Sequence, residues 1–218
     1  MQRAVIFDFD GIIFDTEKHE YKSFKELYKC FDEEFPKDLW LNNIGSRHKT
    51  NPYMFLEKKL GYNVNIKELH RERKKLFYSL LSDEKPREGV KDLLISLKAS
   101  NVKIGLASNS DIDWVLSFLM HLKLLDFFDI INTANDVTNF KPNPEVYIKT
   151  LSELNVSASN TIAFEDTPIG LESAYRAGLN CIVIPTKLTK NLLFNHAHVK
   201  FDSFLEFNKE NYFERVYI

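Results

Sequence analysis

The stretch Ala4-Val5-Ile6-Phe7-Asp8-Phe9-Asp10-Gly11 decides how the rest of the chain is read. A short apolar run that ends abruptly in carboxylates is the pattern of a parallel strand buried on both faces, with polar function at its C-terminal end. Side chains alternate along a strand, so Asp8 and Asp10 are expected to leave it on one side and Phe9 on the other. Two carboxylates side by side are unfavourable unless a cation or hydrogen-bond donors balance them, and the adjoining sequence offers neither. Gly11 lets the chain turn with unrestricted φ just past the acids, to make room for a ligand or as an ordinary turn glycine.

Outward from that stretch, similar apolar runs recur at 102–107, 128–131, 161–164 and 181–184, each separated from the next by a helical pattern. Alternation of this kind implies an α/β fold with a doubly wound parallel sheet. Ser110 and Asp111 can cap a helix whose apolar positions are Ile112, Val115, Leu116, Leu119 and Leu122. Thr167-Pro168 reads as an N-cap with a first-turn proline, and Gly178 as the glycine that ends the same helix. From 16 to 86 the strand pattern vanishes, and Tyr21, Phe24, Leu27, Tyr28 and Phe31, then Leu69, Leu76 and Leu80, recur at helical spacing. The expected organisation is a core domain made of 1–15 and 87–218, carrying an all-helical cap subdomain inserted over 16–86. The irregular stretch 191–218 reads only as a last short strand or helix packed on the sheet edge.

Composition narrows the function classes. The 29 basic and 31 acidic residues nearly cancel to a formal charge of −2, so no global field favours nucleic acid or an anionic membrane, and any anion site must be local. Hydrophobic residues at 44% supply a full core and argue against a disordered chain. Cys30 and Cys181 stand far apart without a CxxC or Cys/His cluster, so neither a disulfide framework nor a zinc site is indicated, and both read as plain buried thiols. The N-terminus enters the first strand at once, with no signal-peptide core or membrane span, and a cytoplasmic location is the default expectation.

Three further motifs fall where strands give way to helices. Ala107-Ser108-Asn109-Ser110 offers a hydroxyl and free backbone N–H groups that suit a phosphate, although Ser and Asn are also routine helix caps. Lys141-Pro142-Asn143-Pro144 can set an ammonium beside phosphate and carboxylates, or leave a solvated surface lysine. Phe164-Glu165-Asp166-Thr167 again puts two acids at a strand end, with a favourable helix N-terminal charge as the alternative for Asp166. All four motifs lie at the edge where open α/β sheets bind ligands, and their joint occurrence is stronger than any one of them.

In order and type, Asp8 and Asp10, Ser108, Lys141, and Glu165 with Asp166 resemble the four motifs of the haloacid dehalogenase superfamily of phosphatases and phosphomutases. Asp8-Phe9-Asp10-Gly11 through Asp15-Thr16, with Lys141-Pro142 and Phe164-Glu165-Asp166, resembles the branch containing β-phosphoglucomutase and phosphoglycolate phosphatase, which carries a helical cap after the first motif. The resemblance implies that Asp8 is a nucleophile attacking phosphorus in line and that Asp10 is the acid and base. It implies Mg²⁺ held by Asp8, the Asp10 carbonyl and Asp166, with Glu165 as a fourth ligand or behind them. Ser108 would hold the phosphate with help from Asn109, and Lys141 would offset charge and orient Asp8.

In the cap, His19, Glu20 and Arg47 are the candidates for selecting the leaving group. Gly45-Ser46-Arg47 resembles a cap loop that offers a cation to the distal part of a substrate, with a lone surface arginine as the alternative. The cap histidine of β-phosphoglucomutase aligns with Glu20, although His19 is adjacent, which is a departure from the mutase pattern. The expected activity is therefore hydrolysis of a small phosphorylated metabolite, with a sugar-phosphate mutase as runner-up. A receiver-type phosphoacceptor shares the clustered acids, but it lacks a second aspartate two positions on and a helical insert after the first strand. The expected partners are that metabolite alone, with no nucleic acid and no membrane, and a monomer or weak homodimer.

Overall fold

The computed structural model describes residues 2–41, 44–45, 50–81 and 84–209. The chain divides into two compact units, Met1–Asp15 with Lys85–Ile218, and Thr16–Glu84. The first holds a parallel sheet of β1 (Ala4–Phe7), β2 (Lys103–Ala107), β3 (Ile130–Asn132), β4 (Thr161–Glu165), β5 (Asn180–Val183) and β6 (Val199–Lys200), in the order β3-β2-β1-β4-β5-β6. β1 and β4 are neighbours in the middle and are buried along their whole lengths, which is why both read as unbroken apolar runs. Phe7 sits opposite Leu106 on one side and Phe164 on the other, and the Phe7 and Phe164 rings stack with centroids 5.1 Å apart. The chain leaves β1 toward β2 and comes back to β1's other side as β4. The loops that follow these two strands therefore diverge and open a crevice at their C-terminal ends.

The second unit is helical: α1 (Thr16–Lys29), α2 (Lys37–Leu41), α3 (Pro52–Leu60) and α4 (Ile66–Leu81). Its core is aromatic, with the Phe24 ring 5.3 Å from Phe35, 5.8 Å from Trp40 and 5.5 Å from Tyr53. On α4 the buried side chains are Arg73, Phe77 and Leu81, while Leu69, Leu76 and Leu80 are only half-buried. Arg73 can occupy the core side of the helix because its polar groups are satisfied there. The guanidinium lies 4.2 Å over the Phe24 ring and donates to Tyr53 Oη (2.8 Å) and Ser23 Oγ (3.0 Å).

The sheet unit is completed by α5 (Val90–Ala99), α6 (Ile112–His121), α7 (Glu145–Leu154), α8 (Pro168–Arg176) and α9 (Phe204–Lys209). Val146, Tyr147, Leu151 and Leu154 of α7 and Leu171 and Ala174 of α8 form one core with Ala4, Ile6 and Ala163 of the central strands. Thr167 caps α8 by accepting the Gly170 N–H at 3.1 Å, Pro168 opens its first turn, and Gly178 follows its end at φ +78.

Several expectations are corrected. β1 stops at Phe7, so strand alternation does not place Asp10. Instead the N–H groups of Ile12, Ile13 and Phe14 all bond Phe9 O, and Gly11 turns at φ +87, closing 9–14 into a tight loop. The third strand lies at Ile130–Asn132 and not over 128–131. Phe128 packs edge-on against Phe7 at 6.3 Å, and the Asp129 carboxylate accepts the Ile104 N–H at 2.7 Å. The C-terminal stretch supplies both a strand, β6 at the edge, and a helix, α9, whose Phe204 and Phe207 pack on Phe164 of the central β4. Cys181 is buried as expected, but Cys30, which follows the last residue of α1, is exposed. Among the described residues, no helix is long and apolar enough to cross a membrane.

Candidate active site

Asp8 follows β1 and keeps the sheet pairing by one more bond, its N–H donating to Phe164 O at 3.0 Å. That pairing holds it beside Glu165 and Asp166 at the end of β4. One carboxylate oxygen from each of the three residues lies within 4.8 Å of the others, and all three are buried. Lys141 reaches them from well beyond the end of β3, on the connection into α7. Its buried ammonium donates to Asp8 Oδ1 (2.7 Å), Glu165 Oε1 (2.6 Å) and the Ala107 carbonyl (2.8 Å). The lysine is therefore not a solvated surface group. Tyr147, in the first turn of α7, donates its hydroxyl to the same Glu165 oxygen at 2.6 Å.

The buried Asp8 and Glu165 carboxylates share the Lys141 ammonium. Burial, and next the Glu165 charge, push the Asp8 carboxyl up to about 8, with Lys141 pulling it down and Asp10 adding a smaller push upward. Burial works against the charge on Lys141, but Asp8 and Glu165 outweigh it and hold the ammonium above its ordinary range. Burial and the Glu165 charge also raise Tyr147 well above the usual phenol range, so it remains a donor.

The cluster is suited to a further cation. Glu165 Oε2 is buried with no hydrogen-bond partner, and oxygen-only donors in this number suit a hard divalent ion. Gly11 contributes by what it lacks, since a Cβ there would run into the Asp166 carboxylate. Gly170 does the same on α8, where a Cβ would overlap the Glu165 carboxylate.

Ser108, at the end of β2, is buried; its N–H donates to Asn132 O and its hydroxyl oxygen accepts the Ser110 N–H, both at 3.0 Å. The hydroxyl hydrogen is left to point elsewhere. Asn109 bonds the Lys141 backbone on both sides: Oδ1 accepts Lys141 N–H at 2.8 Å, and Nδ2 donates to Lys141 O at 3.3 Å. It thus clamps the backbone of the lysine that reaches Asp8.

The Asp10 carboxylate turns toward α6. Its Oδ2 accepts from the Ser110 hydroxyl and its Oδ1 from Trp114 Nε1 at 3.1 Å. Ser110, expected with Asp111 to cap α6, is used here, while Asp111 takes the N-cap position and Asn135 Oδ1 accepts the Ile112 N–H at 2.9 Å. Arg87 fixes the loop from the other side. Its guanidinium donates to the carbonyls of Gly11, Ile184 (2.8 Å) and Pro185 (3.0 Å), and its own N–H donates to Ile13 O at 3.0 Å.

Tyr147, Trp114 and Arg87 escaped the motif reading. Trp114 left a trace, as a large aromatic lying off the apolar stripe of its helix at the end nearest the acids. Tyr147 and Arg87 left none. Of the expected cap residues, His19 and Glu20 lie on α1 in the helical unit. His19 Nε2 is 2.5 Å from Glu84 Oε2, and Glu20 Oε1 is 3.9 Å from Arg73 Nη1. Arg47 lies outside the described residues.

Residues 5–184 match the family model for haloacid dehalogenase-like hydrolases. The chain belongs to this family. Among curated haloacid dehalogenase-like relatives, a Bacillus subtilis protein named "Putative phosphatase YhcW" is 39% identical over 206 residues, 94% of each chain. A Thermotoga maritima protein named "Phosphorylated carbohydrates phosphatase" is 32% identical over 182 residues, 82% of this chain and 83% of its own. Among solved structures, β-phosphoglucomutase from Clostridium difficile superposes with a TM-score of 0.70 at 26% identity, covering 99% of both chains. Phosphatases and a phosphomutase are thus both among the haloacid dehalogenase-like proteins that this chain resembles over most of its length.

Proposed function

We propose that this protein is a magnesium-dependent phosphatase that hydrolyses a small phosphomonoester, of the sugar-phosphate class, through an aspartyl-phosphate on Asp8. The observation that carries the reading is the buried Asp8 carboxylate, 2.7 Å from Lys141 Nζ and grouped with Glu165 and Asp166 at the ends of the central strands.

A nucleophilic carboxylate must be ionised, and in the protein alone Asp8 is pushed up to about 8 despite Lys141. Mg²⁺ held by Asp8, Asp166 and the Asp10 carbonyl, with Glu165 behind, would supply the missing positive charge and let a carboxylate approach a phosphate dianion. Lys141 holds Asp8 Oδ1, which leaves the other oxygen to attack.

An Asp8 oxygen forms a bond to phosphorus while the ester P–O bond breaks. The electron pair leaves with the alkoxide, which takes a proton from the Asp10 carboxyl. Water then attacks the same phosphorus and gives a proton to the Asp10 carboxylate. The bond from phosphorus to Asp8 breaks, releasing inorganic phosphate and restoring Asp8. Ser108 and the N–H groups after β2 hold the phosphoryl oxygens.

The test is a panel of phosphomonoesters assayed for inorganic phosphate with Mg²⁺, then with a chelator. Phosphate release that needs Mg²⁺ and disappears in Asp8→Asn supports the reading. Isomerised sugar phosphate that needs a bisphosphate primer, without net phosphate release, replaces it with the mutase reading. Turnover that survives in Asp8→Asn removes the mechanism.

A further inference from the structure

We propose that Trp114 is a positioning residue for Asp10: its indole N–H holds one carboxylate oxygen and thereby aims the acid at the leaving group. The inference rests on the phosphatase reading above, in which Asp10 protonates the departing alkoxide.

An indole N–H can only donate, so Oδ1 is fixed as an acceptor at 3.1 Å. Oδ2 meets the hydroxyl of Ser110, which can donate or accept. One oxygen of the carboxylate is thus anchored and the other faces a group that can change role. The indole is itself fixed. Its ring packs edge-on against Phe118 at 4.6 Å, and Phe118 lies 4.9 Å from Phe14 and 6.4 Å from Phe9. Phe9 and Phe14 bracket the tight loop that carries Asp10, and both are fully buried. The donor on α6 and the acid on the loop therefore share one aromatic support, which restricts the carboxylate in position and in rotation about its χ angles. The bond to Asp10 Oδ1 is the route by which Trp114 would act on the reaction.

The consequence is specific to the leaving group. An alkoxide needs the proton from Asp10 as it departs, whereas p-nitrophenolate leaves without one. Trp114→Phe keeps a ring against Phe118 and removes only the N–H. With Mg²⁺ present, kcat/KM for an alkyl phosphate is expected to fall in Trp114→Phe by about tenfold more than kcat/KM for p-nitrophenyl phosphate. Equal losses on the two esters, or no loss on either, overturn the proposal and leave the phosphatase reading standing. A wild-type protein that hydrolyses no ester of the panel removes both.

A second measurement leaves Trp114 unchanged. The sequence has two tryptophans, Trp40 and Trp114, so Trp40→Phe makes Trp114 the sole reporter. Its emission is expected to shift when Asp10→Ala is added, because the indole loses its acceptor. Emission that ignores the loss of Asp10 overturns the proposal even if Trp114→Phe fails to fold.

Discussion

Tyr147 and Lys141 converge on one oxygen of Glu165, each at 2.6 Å, although the tyrosine lies on α7 and the lysine on the connection before it. Glu165 is thereby drawn toward the ammonium that also holds Asp8. Tyr147→Phe removes a hydrogen bond to a charged acceptor while keeping the ring in the core, which costs about 1.5 kcal/mol. For a chain of this size that lowers Tm by roughly 3–6 °C. Differential scanning calorimetry checks it, and an unchanged Tm refutes the role given to the phenol.

The raised Asp8 carboxyl makes a prediction whose sign is unusual for an acid. Its folded value of about 8 lies above the ordinary 3.8, so the protonated form is favoured on folding. That contribution is fully present below about pH 4 and is lost as pH rises toward 8. Asp8→Asn, neutral at every pH, should therefore melt above wild type at pH 8 in a chelator, with the gap closing toward pH 4. Addition of Mg²⁺ should close it too by stabilising wild type. A variant that melts below wild type at pH 8 contradicts the electrostatic account of the site.

Lys141→Met leaves Asp8 and Glu165 buried without their cation. Breaking a buried pair by removing one partner costs about 3–5 kcal/mol, which here corresponds to a Tm loss of roughly 10 °C. The deficit should grow as pH rises toward 8, because a protonated Asp8 no longer needs the ammonium. Lys141→Arg should not rescue it, since a planar guanidinium cannot replace a compact ammonium aimed at Asp8, Glu165 and the Ala107 carbonyl. Thermal melts from pH 5 to pH 9 provide the measurement.

Gly11→Ala adds a methyl where the Asp166 carboxylate sits, at a backbone φ of +87 that side chains disfavour. Mg²⁺ affinity, followed by isothermal titration, should weaken by about tenfold or more, as when a supporting contact of a metal site is lost. Unaltered binding would mean that Asp166 is not held where the ion goes.

What could be read from the sequence divides along physical lines. The central strands announce themselves because burial on both faces demands unbroken apolar runs, and Asp8, Ser108, Glu165 and Asp166 stand directly at the ends of such runs. Lys141 was harder, since nothing in Lys141-Pro142 says that the side chain turns inward; only the surrounding carboxylates decide that. Tyr147 and Arg87 were illegible because their partners lie far along the chain, and a tyrosine or arginine in isolation reads as core or surface. Asp10 has a different support from the one its spacing implies. Strand alternation was expected to place it, whereas the tight loop of 9–14 does so, and an apolar run such as Phe9-Asp10-Gly11-Ile12-Ile13 does not distinguish a continuing strand from a buried turn.

The bond from the Arg87 N–H to Ile13 O has a bearing on ancestry and engineering. It ties the chain just before it departs for the helical unit to the chain just after it returns. The sheet unit thus treats that excursion as a loop whose ends already meet, and its closure is made by residues of the sheet unit itself. Loop closure costs little extra as length grows, so this junction is a socket: a shorter turn, or another domain with adjacent termini, can be spliced there while the sheet and its acids keep their places.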